Sequence, residues 1–114
     1  MISYIINIRS VCNKKKIVSY ISRFLKSGEF NSRYIYVQLK FLTDNNNMIL
    51  IGDKYLLDTQ NDREIRTYRF YILQYYSFNY LIENEDKKII KVVFDYSEAT
   101  RKEYLSQVRE FKNK

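Results

Sequence analysis

The sequence predicts a single α+β domain, and three observations carry that prediction. Apolar residues alternate over residues 2–8, "ISYIINI", and again between 65 and 96, as half-buried strands require. Between these stretches Ile17, Tyr20, Ile21, Phe24 and Leu25 recur at helical spacing. Near the end, Thr100 and Glu103 form the capping box T-R-K-E, the start signal of a last helix. A chain of 114 residues can bury one core but not two, so one domain over 1–114 is expected.

The elements follow in order. In the first strand Ile2, Tyr4, Ile6 and Ile8 share one parity. Asn13 caps the first helix and Gly28 stops it. Lys14, Lys15 and Lys16 fall in that helix's first turn, where positive charge opposes the macrodipole. Residues 30–42, "FNSRYIYVQLKFL", fit two patterns. Ile35, Val37, Leu39 and Phe41 alternate like a strand, while Phe30, Tyr34, Val37 and Phe41 fall on one helical stripe. The wealth of Tyr, Ile and Val leans toward strand, and periodicity alone does not decide. "TDNNN" at 43–47 reads as a loop, and "MILIGDKYLLDTQNDRE" as a connection broken by Gly52. From 65 to 96 the chain reads as a three-stranded meander: "IRTYRFYILQ", then "YSFNYLI", a charged turn "ENEDKK" at 83–88, then "KIIKVVFDY". In the last helix Tyr104, Leu105, Val108 and Phe111 are expected to face inward.

Composition excludes several chemistries. With no histidine and one cysteine, Cys12, a tetrahedral zinc site and the Ser-His-Asp and Cys-His devices fall away. Gly28 and Gly52 make no glycine-rich phosphate loop, and no cofactor is expected. The apolar part of the N-terminus precedes its charge, the reverse of a secretory signal. No apolar run is long enough for a membrane span, so a cytoplasmic protein without membrane contact is expected. A net charge of +7 favours an anionic partner, either nucleic acid or an acidic protein segment.

Taken together, "KKKIVSYISRFLKSGEFNSRYIYVQLKFL", the Tyr68-Arg69 pair and "FNYLIENEDKKIIKVVFDY" resemble the RelE/ParE superfamily of toxins from type II toxin–antitoxin modules. The resemblance implies a RelE/ParE-like fold: a strand, an antiparallel helical hairpin whose second helix is 30–42, a three-stranded antiparallel meander and a short C-terminal helix. A strand at 33–42 would count heavily against it. The stretch "SEATRKEYL" departs from the compact basic sequence that many members carry after the last strand.

What the resemblance implies about function is a ribosome-dependent mRNA interferase of the RelE type, or a ParE-like inhibitor of DNA gyrase without nuclease activity. Its partners would be a cognate acidic antitoxin, in a toxin–antitoxin hetero-oligomer, and the ribosome with mRNA (or gyrase). The catalytic candidates are Arg69, Arg101 and Tyr104, with Lys14, Lys15, Lys16, Arg66 and Lys102 on the nucleic acid. Read as a strand, 65–74 puts Arg66 on the face of Tyr68 and Phe70, with Arg69 opposite. A tyrosine can act as base near neutral pH only if neighbouring cations, here Arg69, Arg101 and Lys102, depress its pKa. A third reading stands apart from the resemblance: a non-enzymatic basic module that binds nucleic acid through aromatic residues interleaved with charge.

Overall fold

A computed structural model describes residues 2–9, 12–75 and 88–112, with residues 109–112 described by their backbone alone. The elements are β1 (Ile2–Asn7), α1 (Lys14–Ser27), β2 (Tyr34–Thr43), β3 (Met48–Asp58), α2 (Asp62–Gln74), β4 (Ile89–Ala99) and α3 (Arg101–Lys112). The four strands form one antiparallel sheet in the order β1-β4-β2-β3. Because β1 and β2 both oppose β4, they run parallel to each other with β4 between them. By the same logic β3 and β4 run parallel, with β2 between them. The fold is thus two interlocked β-α-β units, each split by a strand of the other, and the α+β class holds.

The opening strand and both flanking caps are where the sequence puts them. The Asn13 side chain accepts the Lys16 backbone N–H at 2.9 Å, and the Gly28 N–H closes α1 on the Phe24 carbonyl. At α3 the capping box is reciprocal. The Glu103 N–H donates to Thr100 Oγ1 at 3.1 Å, and the Thr100 N–H donates to Glu103 Oε1 at 3.2 Å. In α3 Tyr104 and Val108 are half-buried, whereas Leu105, expected inside, is 39% exposed. The Phe111 side chain lies outside the described residues.

Three expectations are corrected. Residues 34–43 are strand β2, not the second helix of a hairpin. Burial alternates along it, with Ile35, Val37, Leu39 and Phe41 inward, so β propensity and period 2 agree and prevail. Residues 65–74, expected as a strand, belong to helix α2. The Asn61 carboxamide accepts from the N–H groups of Arg63 and Glu64, and Asp62 and Glu64 suit the positive end of the helix. Ile65, Tyr68 and Ile72 then point inward at helical spacing, and Phe70 is turned out.

The third correction is residues 48–58, an 11-residue strand rather than a connection. Gly52, at φ +79°, sits where the β2–β3 register shifts, and the Gln38 amide donates to its carbonyl at 2.7 Å. Of the expected meander, 89–99 is a strand. Residues 76–82 and the turn, apart from Lys88, lie outside the described residues.

The core lies between one sheet face and the two helices α1 and α2. Phe24 of α1 stacks on Phe94 of β4 at 4.5 Å between centroids and meets Tyr96 and Phe30 edge-on. Tyr68 of α2 packs on Tyr55 of β3 at 5.0 Å. So α1 covers the β1–β4 side and α2 the β2–β3 side. Their axes run antiparallel, as the parallel pairing of each split unit demands. On the opposite sheet face Lys40 and Asp95 pair at 2.5 Å, and Ser3 Oγ donates to the same carboxylate. No helix among the described residues is long and apolar enough to cross a membrane.

Candidate functional site

Among the described residues, positive charge clusters on the outer side of the helix layer. Helix α1 carries Lys14, Lys15, Lys16, Arg23 and Lys26 and no acidic residue. Its inward residues are Ile17, Ile21 and Phe24, so helical phase turns Lys15, Ser19, Arg23 and Lys26 to solvent. Lys14 and Lys15 are exposed and Lys16 half-buried, while the Arg23 guanidinium lies 5.7 Å from the Tyr20 ring centroid.

On α2, the stripe opposite Ile65, Tyr68 and Ile72 bears Arg63, Arg66, Thr67 and Phe70. These four line a shallow depression of about 400 Å³. Phe70 is 66% exposed, which leaves its ring face open to a stacking partner. Lys14, Lys15, Lys16 and Arg66 are thus brought onto one helix layer, whereas Lys102 is not among them.

The catalytic candidates are dispersed. Arg101 and Lys102 are exposed at the start of α3. Tyr104 stacks on Tyr34 at 4.5 Å, and its hydroxyl donates to Glu64 Oε2. The other Glu64 oxygen accepts the Asp58 N–H, and Asp58 holds Arg33 in a two-pronged pair at 2.7 and 2.8 Å. Burial, and then the hydrogen bond to Glu64, push the Tyr104 hydroxyl well above the usual tyrosine range. The expected base lies against a carboxylate instead of in a basic pocket, and the shift runs opposite to what proton abstraction needs. Tyr104 works as a clamp that ties α3 to α2 and β2.

Arg69 is also separated from Tyr104. Five residues beyond Glu64, it is turned by about 140° around α2. Glu64 and Tyr71 occupy the flank of α2 that bonds β3, so Arg69 sits on the other flank, toward α1. It is partly buried, and its Nε is shut off from solvent without a hydrogen-bond partner.

A larger groove of about 570 Å³ lies between β3, α2 and α3, walled by Tyr55, Tyr71, Tyr104, Leu56 and Val108 with Glu64 at its side. Sequence reasoning missed it, because it depends on Glu64 meeting a tyrosine 40 residues away. Among the described residues no group of three or more Cys, Asp and Glu is placed to hold a metal ion. The Cys12 thiol is pushed up to about 11 by burial, which disfavours the reactive thiolate. No family model, curated protein or solved structure matches the chain.

Proposed function

We propose that this chain is a non-enzymatic nucleic-acid-binding module that grips the phosphate backbone with the outer face of α1 and α2. One observation carries the reading. Helix α1 has five cations and no acid, and it packs beside a stripe in which Arg63 and Arg66 flank an exposed Phe70. The interferase and gyrase-inhibitor readings drew on a helical hairpin spanning 14–42, and β2 occupies the place of its second helix. The binding-module reading does not depend on that hairpin.

The chemistry is that of sequence-tolerant recognition. Lysines and arginines neutralise phosphates and release counterions, and an exposed aromatic ring offers a face to an unpaired base. Three lysines in the first turn of α1 cost helix stability, because they face the positive end of the macrodipole. A bound polyanion offsets that cost.

Fluorescence anisotropy with 20-nucleotide single strands, against duplex of the same sequence, tests the proposal. We expect single strands to bind tighter. With about five phosphates neutralised, log K should fall against log salt with a slope of about −3.5. Phe70→Ala should weaken binding about tenfold and leave that slope unchanged. Absence of binding in 50 mM salt sinks the reading. Growth arrest on induction in bacteria, with mRNA cut at defined codons, would return the interferase reading to first place.

A further inference from the structure

The groove of about 570 Å³ between β3, α2 and α3 differs from the basic helix layer in both charge and walls. In a chain with 20 basic and 13 acidic residues, its described lining holds two acids, Asp53 and Glu64, and one cation, Lys54. The Lys54 ammonium lies 4.9 Å from the ring centroid of Tyr36, whose neighbours Ile35 and Val37 point into the core, so Tyr36 faces the other side of the sheet. Glu64 and Tyr71 are seven residues apart on α2, which puts them on one flank about 10 Å apart along the axis. At the first end of this span the Tyr104 hydroxyl donates to Glu64. At the other end the Asp53 N–H donates to the Tyr71 hydroxyl at 2.8 Å. An acid thus stands at each end of the groove. The rings of Tyr55 and Tyr71, 5.7 Å apart between centroids, and the side chains of Leu56 and Val108 make its walls largely apolar.

The negative charge acts inside the groove. Burial, and then the Glu64 charge, push the Tyr55 hydroxyl above the usual tyrosine range, and burial with the Glu64 hydrogen bond does the same for Tyr104. Each Glu64 oxygen accepts one bond, from the Asp58 N–H and from the Tyr104 hydroxyl, which leaves each a further lone pair. Such a site repels phosphate and attracts an ammonium, which both carboxylates and aromatic faces hold. Its volume is that of a small-molecule site, and its apolar walls suit a hydrocarbon chain. We propose that the groove binds an aliphatic diamine, one ammonium at Glu64 and the other at Asp53, with the methylenes along the tyrosine rings. The site lies apart from the outer face of α1 and α2, and it does not depend on the nucleic-acid reading.

Titration calorimetry on the full-length protein, freed of nucleic acid, tests this with diaminooctane as the probe and octylamine and octanediol as comparisons. We expect the diamine to bind tightest, octylamine about tenfold more weakly and octanediol not at all. In NMR spectra the diamine should shift the ring signals of Tyr55, Tyr71 and Tyr104. Asp53→Asn keeps the backbone bond to Tyr71 and should weaken the diamine about tenfold while leaving octylamine unchanged. Glu64→Gln should weaken both amines. Because Glu64 also holds Tyr104, melting curves check that this variant is folded, and Asp53→Asn carries the test if it is not. No binding at millimolar diamine overturns the proposal, as does octanediol binding as well as the diamine. Unchanged diamine affinity in Asp53→Asn, or diamine shifts that spare all three tyrosine rings, overturns it equally.

Discussion

Asp58 and Asp95 show how single residues tie this fold to pH. Burial by itself would raise both carboxyls. For Asp58 the Arg33 guanidinium and the Gln60 N–H outweigh it, and for Asp95 Lys40 and Ser3 do so, so both lie below the usual carboxylate range. In the unfolded chain these groups return to about 3.9. The unfolded state therefore binds more protons between the two values, and stability rises with pH through that window. The contribution is complete above about pH 5 and is lost as pH falls through the folded-state values. Thermal melts from pH 6 to pH 2.5 should show a falling midpoint below about pH 4. Asp95→Asn should start lower and show a shallower fall, and an unchanged slope would remove Asp95 from this role.

Elements show what the sequence states openly and what it conceals. Asn13, Gly28 and the Thr100–Glu103 box mark their helices locally, because a cap is made within four residues. Residues 65–74 conceal their state, because a short aromatic-rich run satisfies both periods. Tyr68, Phe70 and Ile72 alternate, while Ile65, Tyr68 and Ile72 are helical. The deciding signal stands just outside that run, in Asn61 and its acidic neighbours. Asn61→Ala should cost about 1 kcal/mol, measured by urea unfolding. Gly52 concealed β3 by looking like a break. An alanine there would hold φ +79° with its Cβ 2.9 Å from the Tyr71 ring. We expect Gly52→Ala to cost about 2 kcal/mol and to weaken the bond from the Asp53 N–H to the Tyr71 hydroxyl. The basic face was half legible: Lys14, Lys15, Lys16 and Arg66 stand out in composition, but that Arg63 and Arg66 line one depression with Phe70 appears only once 62–74 is a helix. Lys15→Glu should separate stability from binding, adding about 0.5 kcal/mol at low salt while weakening strand affinity.

At the scale of the molecule, a net charge of +7 over 114 residues sets stability and binding against each other. Like charges on α1 repel, and salt screens them within a Debye length of about 10 Å at 0.1 M. Raising salt from 50 to 500 mM should therefore raise the melting temperature while loosening the nucleic-acid complex. Two midpoints falling together would show that attractive pairs such as Lys40–Asp95 dominate the surface instead.

The place of β4 in the sheet carries a consequence for how the chain comes together. Among the described strands it is the last in the chain, yet it is the one that pairs with β1 and one of the two neighbours of β2. Until β4 has been synthesised, β1 lacks the strand it pairs with among the described residues, and the Phe24 ring lacks the Phe94 ring it stacks on. Assembly must wait for contacts about 90 residues apart, such as Ser3 with Asp95, so local order alone cannot commit the fold. The β2–β3 hairpin and the helices it precedes and follows are ready early. The arrival of β4 turns them into a sheet, and with it α1 and α2 acquire the fixed spacing on which the face they share depends.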